Sequence, residues 1–171
     1  MSFVYQTFRL TLRHFTLNDA EFVIHLLNQP SFIENIADKG VRTIKEANEY
    51  LHSGPMASYQ QYGFGLNAVT LTETGLVIGM CGLIKRPELA VPDIGYAFLP
   101  EFWRKGYAKE AAQAVVINAK QHHVNTLAAI TNIDNVSSIK LLEALGFKQL
   151  KTMVLYQGEP ECRYFERNDQ C

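Results

Sequence analysis

Arg104, Lys105 and Lys109 crowd around Gly106, at a point where a strand-like run gives way to a helical one. The start of a helix already carries partial positive charge on its free N–H groups, and acidic residues ordinarily favour it. Three cations there call for an anion. Gly106 lets a backbone approach at the tightest part of the turn. The small Ala108, Ala111 and Ala112 keep the first helical turns free of bulk, so a negative ligand can lie against exposed amides. Phosphate is the natural candidate. The alternative is an ordinary turn with solvated cations, and a short glycine motif does not by itself choose between them.

Other residue types offer less. His14, His25 and His52 are scattered, and the adjacent His122 and His123 cannot both face one ion from a regular helix, so no metal site is expected. Cys81 falls in a strand-like run and reads as a small core residue. Three cysteines, Cys81, Cys162 and Cys171, are too few and too dispersed for a disulfide framework, which points to free thiols and a cytoplasmic setting.

The elements that must position the basic turn belong to one domain, 1–171. The chain has 171 residues, 47% hydrophobic and 19% charged, without internal repeat, linker or low-complexity segment. Sixteen basic against seventeen acidic residues give a formal charge of −1, so no global field favours nucleic acid or an anionic membrane. No apolar run approaches the roughly 18 residues needed to span a bilayer.

Residues 8–13 alternate apolar and polar, the two-residue period of a half-buried strand with Leu10 and Leu12 inward. Asn18 or Asp19 can cap a helix whose Phe22, Val23, Leu26 and Leu27 share a face, and Pro30 stops it. A second helical pattern covers 44–61, interrupted at Gly54 and Pro55, with irregular residues 31–42 before it. The turn 72–75 separates two strand-like runs, 63–71 and 76–84, which should pair as a hairpin. The strand leading to the basic turn starts at Asp93, Pro100 ends it, and a helix runs over 105–122. Then come a strand at 126–131, a helix from Asn135 closed by Gly146, and a last hairpin from 148–156 and 162–166.

This order implies a mixed, mostly antiparallel sheet of about seven strands flanked by about four helices, an α/β (α+β) fold. A dinucleotide fingerprint or a phosphate loop of the Gly-Lys-Ser/Thr kind is absent. With these motifs in view, the chain resembles the GCN5-related N-acetyltransferase (GNAT) superfamily, and most closely its ribosomal-protein N-terminal acetyltransferase-like (RimJ/RimL-type) branch. The resemblance is carried by Phe8 to Arg13 with Asp19 and Ala20, by Ile94-Gly95-Tyr96, by Phe102 to Ala108, and by Asn135 and Ser138 with Leu145 to Phe147. It spans nearly the whole chain.

The resemblance implies a sheet splayed between its fourth and fifth strands, with acetyl-CoA lying across the opening. It assigns the pantetheine arm to Ala97, Phe98 and Leu99, the pyrophosphate to Arg104, Lys105, Gly106, Tyr107, Ala108 and Lys109, and further cofactor contacts to Asn135 and Ser138. Trp103 replaces the usual first residue of the superfamily's loop and marks the branch. The tyrosine that many relatives use to protonate the leaving thiolate is replaced by Leu142, which has no proton to give. The branch suggests Ser138 instead, one helical turn earlier. Ser138 can equally be a polar residue bonded within the first turn of its helix.

The implied reaction is attack of a neutral amine on a thioester through a tetrahedral oxyanion, with a backbone N–H near Phe98 or Leu99 as donor. An α-amine ionises near pH 8 and a lysine near 10.4, so the α-amine is easier to present neutral by about 3 kcal/mol. Asp93 can take up the amine proton through water, hold the ammonium, or simply start its strand. The expected activity is an acetyl-CoA-dependent N-acetyltransferase acting on a protein N-terminus. The alternatives are a small amine such as an antibiotic, polyamine or amino acid, and a CoA-binding module without turnover. The acceptor region, 28–62 and the final hairpin, carries no motif that names the acceptor, and a homodimer contact could fall on that hairpin.

Overall fold

A computed structural model describes residues 3–168. Its strands are β1 (Phe3–Gln6), β2 (Leu10–Arg13), β3 (Leu66–Leu71), β4 (Val77–Ile84), β5 (Asp93–Phe98), β6 (Thr126–Asn132), β7 (Lys148–Val154) and β8 (Glu161–Asn168). They form one sheet in the order β1-β2-β3-β4-β5-β6-β8-β7. The alternation in β2 is what the sequence demands, with Leu10 and Leu12 fully buried and Thr11 and Arg13 half-buried. β1 was not expected, so the fourth and fifth strands of the sequence reading are β5 and β6 here.

Helices cover both faces. On one, α5 (Tyr107–Asn118) and α6 (Val136–Ala144) bury Ala112, Val115, Val116 and Leu142 against Ile78, Ile94 and Phe165. On the other, α1 (Ala20–Leu27), α2 (Pro30–Asn35) and α3 (Ile44–Leu51) pack Val23, Leu27, Phe32 and Leu51 against Ala68, Met80 and Leu99. Pro30 does more than end α1. Its fixed φ suits a first helical position, and it opens α2 inside the stretch expected to be irregular. The interruption at Gly54 and Pro55 is a π-helical turn, His52–Met56, that joins α3 to α4 (Ala57–Tyr62). Asp19 does not cap forward; its carboxylate accepts the Thr16 N–H at 2.9 Å and receives both terminal nitrogens of Arg13 at 2.8 Å.

Two irregularities shape the centre of the sheet. In β4 the register skips Ile78, since Gly79 faces Val69 while Val77 faces Thr70. The bulge turns Ile78 and Cys81 to the α5 face and frees the Ile78 carbonyl to accept Leu99 N–H at 3.0 Å. The other irregularity lies between β5 and β6, the parallel pair among the described strands. They meet only where Asp93 faces Ala128, with Ala128 N–H donating to Pro92 O at 2.9 Å, and diverge beyond it. The expected splay is this opening.

Candidate active site

The backbone of β5 sorts its residues by parity. An antiparallel ladder alternates hydrogen-bonded and non-bonded pairs, and Leu99 bonds to Ile78 across the β4 register. Ala97 and Leu99 therefore direct their backbone groups to β4, while Tyr96 and Phe98 direct theirs to the opening. Of the two oxyanion donors read from the sequence, Leu99 N–H is already taken and Phe98 N–H faces the opening. The Phe98 carbonyl accepts the Trp103 indole N–H at 2.8 Å, which draws the basic turn against the end of the strand.

The turn from Trp103 to α5 holds two left-handed residues, Arg104 (φ 59°) and Gly106 (φ 81°). Gly106 is the residue before α5 and has no side chain to cap it. Glu110 N–H makes the first helical bond, to Gly106 O at 3.0 Å, so the amides of Tyr107, Ala108 and Lys109 lack helical acceptors. Uncapped amides, left-handed turn residues and three nearby cations form the kind of concavity that receives an anion.

A buttress that the sequence reading missed fixes this turn. Glu110 Oε1 accepts Thr7 Oγ1 at 2.6 Å and Arg9 N–H at 2.9 Å, and Glu110 Oε2 accepts Arg9 Nε at 2.7 Å. Arg9 Nη1 donates to Lys105 O at 2.9 Å, and its guanidinium stacks 4.4 Å from the Tyr107 ring centre. Partial burial pushes the Glu110 carboxyl up, but the hydrogen bonds from Thr7 and Arg9 outweigh it and hold the group below its ordinary value. The available signal was an isolated acid in the first turn of a basic helix start.

Ser138 lies in the first turn of α6. Asn135 caps that helix by accepting Ser138 N–H at 3.2 Å on Oδ1. The Ser138 hydroxyl is instead 2.6 Å from Tyr96 Oη, so the structure joins the helix to β5. Leu142 is buried in the core. Asp93 stands elsewhere, at the closed end of the opening. It is 1% exposed, its Oδ1 accepts Arg86 Nε at 2.9 Å, and Oδ2 has no protein partner. Burial pushes its carboxyl up, against the Arg86 guanidinium, which pulls it down. Arg86 also donates to Tyr156 Oη at 3.1 Å, and Asn132 Nδ2 donates to Glu34 O at 3.3 Å, tying α2 to the far end of β6. Among the described residues no group of His, Cys, Asp and Glu could hold a metal ion, and no helix is long and apolar enough to cross a membrane.

The opening, the basic uncapped helix start and the hydroxyl pair lie along one strand and its continuation, β5 to α5. The family model for an acetyltransferase (GNAT) domain matches residues 9–148, and the chain belongs to this family of N-acetyltransferases. It is 28% identical over 145 residues to the uncharacterized N-acetyltransferase p20 of Bacillus licheniformis, covering 84% of this chain and 81% of that one. Its fold is shared by RimL, a ribosomal L7/L12 α-N-protein acetyltransferase solved in complex with coenzyme A. The TM-score is 0.84 at 15% identity, over 98% of this chain and 99% of that one. The microcin C7 self-immunity acetyltransferase MccE, solved with acetyl-CoA and AMP, superposes with a TM-score of 0.79 at 18% identity, over 95% and 93%.

Proposed function

We propose that this enzyme transfers the acetyl group of acetyl-CoA to a primary amine by direct attack on the thioester, and that the amine is a protein N-terminal α-amine. The observation that carries the reading is the juxtaposition of the β5–β6 opening with the uncapped, basic start of α5. The pyrophosphate takes the amides of 107–109 with Arg104, Lys105 and Lys109. The pantetheine arm runs along Ala97, Phe98 and Leu99 and packs against their side chains, leaving Phe98 N–H for the oxyanion. Asn135, whose Oδ1 is spent on the cap, offers Nδ2 to the cofactor.

Acetyl-CoA supplies the activated acyl group; the chain supplies position and charge. Phe98 N–H faces the place where the carbonyl oxygen becomes negative, and a donor so placed strengthens as charge develops. Ser138 faces the sulfur. Asp93, paired with Arg86 at the far end of β5 from Phe98, acts on the amine's proton only through a chain of waters. The N-terminal acceptor is favoured by the lower pKa of an α-amine and by the likeness to RimL. A second copy of the chain would add at β7, an edge strand exposed along most of its length.

Calorimetric titration with acetyl-CoA, followed by thiol release against pooled peptides and small amines, tests the reading. Binding with release on peptides bearing a free α-amine is the expected result. Release on small amines alone would replace the acceptor, and absence of acetyl-CoA binding would overturn the assignment of residues 97–109.

A further inference from the structure

Tyr96 Oη and Ser138 Oγ are 2.6 Å apart although their residues are separated by 42 positions. Tyr96 sits in β5 and Ser138 in the first turn of α6, so this bond links the strand to the helix that follows β6. Each hydroxyl has one hydrogen to give and lone pairs to accept with. Either hydroxyl can donate at this distance, and a phenol being the better donor and an aliphatic hydroxyl the better acceptor favours Tyr96 donating to Ser138. Ser138 then keeps its own hydrogen free, and a hydroxyl that accepts one hydrogen bond donates a stronger one.

We propose that Tyr96 is a positioning residue for this reaction: through its bond to Ser138 Oγ it holds the serine so that the serine's own hydrogen points at the departing sulfur. The inference rests on the reading above, that acetyl-CoA lies in the opening with its sulfur at Ser138. Tyr96 is thus a positioning residue and Ser138 the group that touches the substrate.

The pair donates without transferring a proton. Burial above all, with Cys81 across the β4 register, pushes the Tyr96 hydroxyl up to about 12. Cys81, the other titratable group facing it, is itself held as a thiol by burial. A CoA-type thiol ionises near about 8.5, so passing a proton from phenol to thiolate would run uphill by more than roughly a thousandfold. When the C–S bond breaks, its electron pair goes to sulfur, which leaves as thiolate. The amine nitrogen sheds its proton through water, and the released thiolate takes one from solvent. Tyr96 and Ser138 end the step as they began it. A charge-assisted bond of this kind is shorter and stronger than one between neutral groups, and it is strongest once sulfur carries the full charge.

The test needs no acceptor. Coenzyme A bound to the enzyme is titrated while its thiolate is followed by ultraviolet absorbance, with the free thiol as reference. Bound CoA should ionise about one pH unit lower than free CoA, a tenfold gain in thiolate. Ser138→Ala and Tyr96→Phe should each return it toward the free value, the double variant should go no further than Ser138→Ala, and Ser138→Thr should keep the shift. A bound thiol that titrates like the free one overturns the proposal, as does a shift that survives Tyr96→Phe. Failure of CoA to bind the unaltered enzyme is a separate result, because it removes the acetyl-CoA reading and this inference with it.

Discussion

Gly106 stands at φ 81°, a left-handed conformation that costs a residue with a side chain about 1–2 kcal/mol. A Cβ there would also come within 3.2 Å of Arg9 Nη2, the side chain that braces the same turn. Gly106→Ala should therefore displace the amides meant for the pyrophosphate while leaving the β5 edge untouched. Calorimetry should show acetyl-CoA binding about tenfold weaker, equivalent to about 1.4 kcal/mol, with kcat at saturation little changed. Loss of kcat without loss of affinity would place Gly106 outside the phosphate site. Gly106 was legible in the sequence because its chemistry is local: a turn, neighbouring charges and a following helix are read within a few positions. Ser138 was legible only through the family's pattern. Tyr96 reads as part of a strand motif but not as the partner of Ser138, because the 42 positions that separate them are bridged only by the fold.

The basic turn owes its position to its connection with β1 and β2, and Glu110 is the connection. Its side chain is 19% exposed and takes three hydrogen bonds from the 7–9 turn. Glu110→Gln should cost about 1–2 kcal/mol at neutral pH, discounted because Arg9 reaches solvent, and should raise KM for acetyl-CoA by loosening the turn. The folded carboxyl lies below its ordinary value of 4.5, so its contribution is complete above 4.5 and lost as pH falls through the folded value. Urea unfolding of both proteins at descending pH checks this, and a gap that stays constant below 4.5 would contradict it. At this scale the long periodic elements were readable, including the 66–84 hairpin, α5, and α6 with its Asn135 cap. β1 lacked a long enough pattern. α2 is hidden in the sequence because a proline reads as a stop after α1, while it suits the first turn of a helix equally well.

The molecule is a sheet nearly divided, with β1 to β5 on one side and β6, β8 and β7 on the other, meeting at Asp93 and Ala128. Divergence creates the opening, so the residues at its closed end determine how firmly the two arms are held. The Arg86–Asp93 pair is placed there, with Asp93 1% and Arg86 23% exposed, and Arg86 continues to Tyr156 beyond β7. Removing the cation leaves a buried carboxylate without compensation. Arg86→Met should therefore cost about 3 kcal/mol near neutral pH, the low end for a broken buried pair because Arg86 reaches solvent. The pH dependence has the opposite sense to that of Glu110. The folded Asp93 carboxyl lies above its ordinary value of 3.8, so burying its charge costs most above the folded value, and the cost disappears as pH falls below 3.8. Without Arg86 that folded value rises further, and the deficit of Arg86→Met should begin to close at a higher pH than that at which Asp93 titrates beside Arg86. Arg86→Met combined with Asp93→Asn removes both charges and should recover part of the lost stability. Thermal unfolding across the acid range measures both effects. A deficit independent of pH, with no recovery in the double variant, would mean that apolar packing rather than this ion pair holds the arms at the base of the active-site opening.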